Sequence, residues 1–387
     1  MSKPLVKGLP IFAVAMNMRA GLILIGPLLP ILQKQYHIST FMESVLASAP
    51  LICFSLTALF VGNLVRKRST NQIITYAVTL LTLSLICRTL FGITSFLIFS
   101  ITLGICVAIL NYMLPVWVRE NNEGGVGLIT GTYAAIMATC SAISLAITVP
   151  LANATSWGWR LALIPWFVIG FFTTLWWWGK GNKNNQVADA TAAPTLKQSG
   201  IARNLDAWAL TIFFGLLNMI HYASATWLPT VLISKGFAIA NSGFVVAIAT
   251  LTGALLSQLV PHYASRGKDF RAVLVGFSLI LALAYLGISI DKGARLIIWV
   301  ILANIGVYVT FSLALFLVVH KSSSADNTKL LSLMAQCVGY LMATTSPLIF
   351  GGIYSASHHW SNSVIYLVVL ALIQVLISLR LGKDRKI

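Results

Sequence analysis

The sequence predicts an all-α polytopic membrane protein with twelve transmembrane helices in two six-helix, pseudo-symmetric halves. Composition is the first reason: 58% of the 387 residues are hydrophobic, only 9% are charged, and the mean hydropathy is +0.87. Water-soluble domains carry about 25% charged residues, so a soluble globular enzyme is excluded. The second reason is a series of long apolar runs, and the third is a single long polar connection near the middle of the chain.

The apolar runs define the predicted spans. A membrane-spanning helix needs about 20 mostly apolar residues, and the chain contains twelve such runs joined, with one exception, by short connections. The first run is too long for a signal peptide and is expected to remain as the first helix. The predicted spans are 9–33, 41–64, 72–92, 94–118, 125–150, 159–179, 206–234, 240–264, 270–290, 294–319, 329–354 and 361–381.

The distribution of positive charge predicts the orientation. The chain has 26 Lys and Arg against 9 Asp and Glu, a net charge of +17. With twelve spans, 19 of the cations fall on the side of the two termini and six on the opposite side, while Arg19 lies inside the first span. Because cationic loops stay in the cytoplasm, we expect both termini there, in a bacterial inner membrane. The charge thus indicates topology, and a nucleic-acid partner is not expected.

The long polar connection predicts the division into halves. Residues 180–205 are rich in Gly, Asn and Ala and are typical of a flexible cytoplasmic linker. They separate a bundle at 1–179 from a bundle at 206–387. The halves repeat weakly: Asn17 in the first span and Asn218 in the seventh occupy matching positions, each followed by a proline-containing string. Two parallel six-helix repeats are typical of transporters with a binding site near the midplane.

Several strings of the sequence carry a family resemblance. The loop Gly62-Asn63-Leu64-Val65-Arg66-Lys67-Arg68 resembles the Gly-x-Leu-x-Asp-Arg-x-Gly-Arg loop of the major facilitator superfamily, with Arg66 where that superfamily has Asp. The resemblance extends over the whole chain. A closer one, to the cyanate/2-nitroimidazole permease family, is carried by Asn17-Met18-Arg19 with Gly26-Pro27-Leu28-Leu29-Pro30, by Phe214-Gly215-Leu216 with Asn218, Tyr222 and Trp227-Leu228-Pro229, and by Gln336, Gly339 and Pro347.

The resemblance implies the major facilitator fold and a small-solute permease that works by alternating access. It implies a small anion such as cyanate or, alternatively, efflux of nitroimidazole-like and other neutral or anionic drugs. The sequence contains no phosphate-binding loop or dinucleotide motif, so we expect neither an ATPase nor an enzyme. The expected partners are the solute, the lipid bilayer and either protons or a counter-anion, with no cofactor, no metal and a monomeric chain. A sensor built on a transporter scaffold is a further alternative.

Arg19 is the principal candidate for solute binding. It lies about halfway across the first predicted span, where an arginine costs at least about 2.5–3.5 kcal/mol. Its planar guanidinium suits the oxygens of nitrate, cyanate or a carboxylate. The alternative is a structural pair with helix-end carbonyls or a buried carboxylate, but the sequence places no Asp or Glu in the middle of any span.

Helix seven supplies the next candidates. Asn218, His221 and Tyr222 lie on one helical face, and His221 can change its charge near neutral pH. His221 is therefore a candidate for solute contact and for coupling transport to protons, although uniport and anion exchange fit the sequence as well. The alternative is a packing role, which is the usual one for a lone histidine on an apolar helix. For Asn17 and Asn218 the alternative role is hydrogen bonding to backbone carbonyls.

Three more polar residues in the spans are candidates to line a cavity. Asn111 precedes Pro115 by four residues in helix four, while Gln336 and Tyr340 share a face of helix eleven. Interhelical hydrogen bonds and packing would explain these residues equally well. Arg88 and Arg160 fall near the outer interface, where we expect them to anchor the chain rather than to steer an anion toward the protein, which is the alternative role.

Overall fold

The structure is a computed structural model that describes residues 3–65, 68–121, 126–180, 201–264, 270–323 and 325–382. Across these ranges the backbone forms α-helices and two short 3-10 helices, with no strand. Residues 181–200 of the predicted linker, and Arg66 and Lys67 of the superfamily loop, lie outside the described residues.

The helices of the first half begin with a span in three pieces and continue with five long helices. Their bounds are α1 Lys3–Met18, α2 Ala20–Ile23, α3 Ile25–Tyr36, α4 Thr40–Val65, α5 Thr70–Cys87, α6 Gly92–Asn121, α7 Val126–Ala154 and, after a 3-10 helix at Gly158–Leu163, α8 Ile164–Lys180.

The second half contains six long helices. After a 3-10 helix at Ile201–Arg203 they are α9 Leu205–Ser234, α10 Ile239–Ala264, α11 Arg271–Ile290, α12 Arg295–Lys321, α13 Ala325–Ser357 and α14 Trp360–Leu381. Each of the twelve predicted spans falls on a helix, the first on α1 to α3 together, and the all-helical fold class is confirmed. Within the described ranges, ten helices are long and apolar enough to cross a membrane, the bent first span makes eleven, and the described apolar part of α10 is the shorter Asn241–Ser257.

The chain forms two compact units. The first comprises Met1–Ile38 and Ala49–Thr191, and the second comprises Ser39–Ser48 and Ala192–Ile387. The first turns of α4 therefore group with the second unit. A side chain at Gly351 of α13 would collide with Ser44, so glycine permits this close contact.

The helices of the first unit pack closely, and one of their contacts requires a glycine. In this unit α5 packs on α6 and α8, and α1 packs on α7 and α8. A Cβ atom on Gly104 of α6 would lie 2.7 Å from the Cα of Pro50, so α4 and α6 approach backbone to backbone there. Such an approach is open only to a residue without a side chain.

In the second unit α9 packs on α13, α10 on α12, and α11 on α14. Gly339 permits a close contact of α13 with α9, because a Cβ atom there would lie 2.6 Å from Cδ1 of Phe214. The same two helices are joined by the indole of Trp227, which donates to the carbonyl of Pro347 (3.1 Å).

The helix of the first span is interrupted at two positions near its middle. Arg19 and Leu24 stand outside regular helix, and the segments Gly8–Ile23 and Ile25–Tyr36 meet at 41°. Pro27 explains the position of the second break, since it has no N–H to give to the carbonyl of Ile23 and its ring crowds that carbonyl. The sequence analysis predicted one continuous helix here.

Candidate functional site

Arg19 lies in the turn between α1 and α2. Its carbonyl accepts hydrogen bonds from the amides of both Leu22 (3.1 Å) and Ile23 (3.0 Å), which tightens the turn. Its side chain is half-buried. The break therefore places the arginine where the regular helical hydrogen bonding is interrupted, about halfway along the first span.

Asn17 is buried two residues before the turn at Arg19. With the amide oriented to satisfy both of its atoms, Nδ2 donates to the carbonyl of Trp166 (2.8 Å) and Oδ1 accepts from the amide of Gly170 (3.1 Å). The side chain is only 3% exposed. These contacts fit the alternative role given above, in which the asparagine bonds to backbone, and they tie α1 to α8.

Asn218, its counterpart in the second unit, makes similar contacts. It is 2% exposed and its Nδ2 donates to the carbonyl of Phe214 one turn earlier (2.7 Å). Both asparagines thus contact backbone groups of buried helices, and we infer a structural contribution from each. Their predicted role in solute binding stays a prediction.

The second unit brings aromatic side chains of three helices together. His221 lies edge-on to Tyr222 (ring centroids 5.0 Å apart) and to Tyr308 (5.7 Å), while Tyr340 contacts Tyr222 (6.3 Å). Phe214 joins Tyr340 to Phe311 at 6.1 and 5.8 Å. We call this set the aromatic cluster; its members are Phe214, His221 and Tyr222 of α9, Tyr308 and Phe311 of α12, and Tyr340 of α13.

The aromatic cluster has the chemistry of a site for planar molecules. Apart from Phe214, which is 1% exposed, its side chains are half-buried. Ring faces and edges accept a planar solute by offset stacking or edge contacts, and phenol hydroxyls donate to the oxygens of an anion. The sequence indicated His221, Tyr222 and Tyr340 as candidate ligands, whereas Tyr308 and Phe311 were not among the selected residues.

Asn111 and Gln336 keep polar atoms available. Asn111 of α6 is half-buried, and its amide makes no hydrogen bond to the part of the chain that the structure describes. Gln336 is half-buried one turn before Tyr340, and its Nε2 donates to Ser332 Oγ (2.9 Å) while its Oε1 has no partner in the described ranges. Both arrangements are compatible with cavity-lining roles, which stay predictions.

Arg88 corrects an expectation from the sequence. The prediction placed it at the outer interface, but its side chain is fully buried inside the first unit. Nη1 donates to the carbonyl of Gly21 (2.6 Å), Nη2 donates to Ser100 Oγ (2.6 Å), and the guanidinium lies 4.9 Å from the ring centre of Phe96. A side chain on a helix points back toward the helix N-terminus, so an arginine at the end of α5 reaches into the membrane-embedded part of the unit.

Arg160 agrees better with its predicted place. It is half-buried after α7, its Nε donates to the carbonyl of Thr89 (2.9 Å), and its guanidinium lies 5.0 Å from the ring centre of Trp159. Together with the exposed Trp157 it borders a cavity of about 490 Å³. It makes no contact with the break in the first span.

Lys235 joins the ends of two helices in the second unit. Its Nζ donates to the carbonyls of Ser289 (3.0 Å) and Asp291 (2.9 Å), joining the end of α9 to the end of α11. Burial lowers the pKa of Lys235 and the nearby Lys292 lowers it further, while Asp291 acts in the opposite direction. This lysine is a structural clasp rather than a candidate ligand.

The chain is similar to known proteins in both sequence and fold. The model of the Major Facilitator Superfamily matches residues 11–347. The chain is 28% identical to the 2-nitroimidazole transporter of Escherichia coli (strain K12), covering 97% of this chain and 95% of that one. It is 24% identical to the Cyanate transport protein CynX of the same organism, covering 90% and 89%.

Solved structures agree with the fold. A bacterial homolog of the human lysosomal transporter Spinster, crystallised in an inward-facing and unoccupied conformation, superposes with a TM-score of 0.85 at 13% identity, covering 99% of this chain and 98% of that one. At this identity the similarity establishes the fold alone.

Proposed function

Because the chain belongs to the Major Facilitator Superfamily, we propose that it carries a small planar solute, anionic or electron-rich, across the membrane by alternating access. Its relatives are transporters and not enzymes, and a membrane transporter is the general function. The class of solute and the residues that bind it are the proposal. One observation carries it: Arg19 stands in the turn between α1 and α2, the first of two interruptions of the first span, before the 41° bend at Leu24.

Arg19 would supply the binding charge. An arginine at this depth has a free-energy cost of at least about 2.5–3.5 kcal/mol on insertion scales, a cost that favours a functional role. Its half-buried side chain suits a position at the edge of an aqueous cavity. There, two parallel N–H groups of the guanidinium can bind two oxygens of a carboxylate or nitrate.

The aromatic cluster, which lies within the second unit, would offer a binding surface for a planar solute. Tyr222, Tyr308 and Tyr340 bring ring surfaces and hydroxyl groups from three helices, and His221 contacts two of these rings. A small planar anion fits this chemistry through stacking and hydrogen bonding. The cyanate transport protein among the relatives supports a small anion as solute.

Efflux of nitroimidazole-like compounds is the second candidate function. The aromatic cluster favours it because stacking needs no net charge on the solute. The 2-nitroimidazole transporter among the relatives supports it as well. On this alternative, Arg19 would contact the nitro group, whose oxygens are weaker acceptors than those of a carboxylate.

The test compares solutes and Arg19 variants in one assay. Purified protein is screened by thermal shift against cyanate, nitrate, benzoate and 2-nitroimidazole, and flux of each stabilising compound is measured in proteoliposomes. We expect Arg19→Gln to weaken anion binding about tenfold or more, because a charge-assisted hydrogen bond contributes about 1.5–3 kcal/mol. Arg19→Lys should retain part of the binding, and Arg160→Gln serves as the matched control with unchanged binding.

Two outcomes would contradict this assignment. Wild-type affinity for anions in Arg19→Gln would remove Arg19 from the site, and stabilisation by 2-nitroimidazole alone would favour the efflux alternative. Binding without flux in proteoliposomes would favour a sensor over a transporter.

We further propose that the protein works as a monomer in the bacterial inner membrane with both termini in the cytoplasm. The support for the orientation is the predicted placement of 19 of the 26 Lys and Arg residues on the side of the termini.

A further inference from the structure

We propose that Arg88 is a positioning residue that holds the break in the first span and thereby aims Arg19 at an anionic solute. The inference rests on the proposed function of Arg19 and adds a residue to it. Arg88 belongs to a different helix and is fully buried, so it acts through the break rather than by touching solute.

One of the two hydrogen bonds of Arg88 ends on the broken segment, and the other ends on Ser100 of α6. Gly21, whose carbonyl accepts from Nη1, lies two residues after Arg19 in the short helix α2. Carbonyls near a helix break need donors from outside the helix to replace lost bonds. A guanidinium supplies a charged and therefore stronger donor than a neutral side chain.

A second donor acts on the neighbouring carbonyl. Ser144 Oγ of α7 donates to the carbonyl of Ala20 (3.0 Å). Two consecutive carbonyls of α2, those of Ala20 and Gly21, are therefore bound by side chains from two other helices. Side chains from outside α2 therefore hold this short helix directly after Arg19.

Burying Arg88 without a counter-ion is energetically costly. Its charge has no acidic partner in the described ranges, and its Nε has no hydrogen-bond acceptor there. Burial of an unpaired charge is strongly unfavourable, and the contact with Phe96 offsets only a small part of that cost. A purely structural link from α5 to α2 would need only a neutral donor. A fixed positive charge beside the break also makes the region around Arg19 more attractive to an anion.

Two variants of Arg88 distinguish the effect of the guanidinium geometry from the effect of its positive charge. Lysine keeps the charge but cannot donate in two fixed directions to Gly21 and Ser100. We expect Arg88→Lys to weaken benzoate binding about tenfold. Binding of 2-nitroimidazole, measured below neutral pH so that its ring N–H stays protonated and the ligand is uncharged, should change by less than about twofold. Arg88→Gln should weaken benzoate binding at least as much. Arg160→Lys is the matched control and should leave both affinities unchanged.

A milder variant covers the possibility that changes at Arg88 prevent folding. Ser144→Ala removes one neutral hydrogen bond to the same short helix and leaves all charges in place. We expect it to weaken benzoate binding about threefold and again to spare 2-nitroimidazole. The melting temperature of each variant is measured without ligand.

The outcomes distinguish the inference from the proposed function. Equal losses for both ligands, or unchanged benzoate binding in both Arg88→Lys and Ser144→Ala, would overturn the positioning role. Loss in Arg88→Gln with wild-type behaviour in Arg88→Lys would also overturn it, by showing that charge alone matters. If Arg19→Gln binds benzoate like the wild type, the proposed function of Arg19 fails whatever Arg88 does.

Discussion

We propose His221 as the residue that connects transport to pH. Its ring contacts two tyrosines of the aromatic cluster, and an imidazole gains a positive charge as the pH falls through the range of about 5–8. A charged imidazole in this place would attract an anion, whereas the neutral ring would not. Binding of an anionic solute should therefore favour proton uptake by His221.

We expect His221→Gln to flatten the pH dependence of anion uptake. In the wild type, uptake should rise as the pH falls between about 8 and 5, because more imidazole is protonated. Glutamine keeps hydrogen-bonding groups but cannot titrate. The measurement is initial uptake into proteoliposomes at a series of pH values, with His359→Gln, an exposed histidine outside the cluster, as the control. An unchanged profile would exclude His221 from coupling.

Glu43 is the residue to test if the profile survives in His221→Gln. It is 3% exposed in the first turn of α4, and its carboxyl group makes no hydrogen bond or ion pair to the described part of the chain. The other described acids are less buried. Glu43→Gln, compared with the exposed Glu120→Gln, would then show whether this carboxyl group carries the pH dependence.

Single residues also show how far sequence reasoning reaches. Arg19 was predictable as a candidate because its cost depends only on its position along an apolar run. The burial of Arg88 was not predictable. Its position near the end of a span does not determine whether the long side chain points outward to the interface or inward to the other helices. Asn17 and Asn218 were recognisable as matching polar positions. An asparagine suits hydrogen bonding to backbone and hydrogen bonding to a solute equally well, so the sequence does not distinguish the two roles.

At the scale of helices, the strings that resemble the permease family coincide with packing contacts. Gly215 lies against Gly339, and Trp227 donates to the carbonyl of Pro347. Both contacts join α9 to α13, and Tyr222 and Tyr340 of the aromatic cluster lie on these same two helices. We infer that these strings fix the spacing of the helices that carry the cluster.

A glycine at a backbone contact should tolerate no side chain. We expect Gly104→Ala to destabilise the protein by about 1–3 kcal/mol, because the added methyl group would meet the backbone of Pro50, which cannot rotate away. Gly276→Ala in α11 is the matched control, since nothing lies within 4 Å of its new Cβ atom. Thermal unfolding in detergent measures both variants. Equal melting temperatures would contradict the close contact of α4 and α6.

The positions of the helices followed from hydropathy, but the break in the first span did not. Apolar runs mark which residues can lie in hydrocarbon, and all twelve predicted runs fall on helices. A break depends on donors from other helices. Here Arg88 binds the carbonyl of Gly21, and Ser144 binds the carbonyl of Ala20, which also accepts from the Leu24 amide. Such donors are distant in sequence, so no local pattern reveals them.

At the scale of the whole molecule, fold and solute are specified by different residues. The fold is shared with solved transporters at 13% identity, so most side chains are free to differ while the helices keep their places. Fold similarity therefore carries no information on the solute. We propose that Arg19, Arg88 and the aromatic cluster carry that information.

The net charge of +17 makes a prediction about orientation that can be checked without knowing the solute. Lys292 lies in the exposed connection between α11 and α12, and Ala202 is exposed just before α9. The excess of cations on the side of the termini predicts that Ala202 faces the cytoplasm and Lys292 the outside. In a cysteine-free background, a membrane-impermeant maleimide added to intact cells should label Lys292→Cys and not Ala202→Cys. Both should react after permeabilisation, and the reverse pattern in intact cells would invert the assignment. Inversion would place Arg88 and the outer end of α5 on the cytoplasmic side, so the direction from which solute reaches Arg19 depends on this measurement.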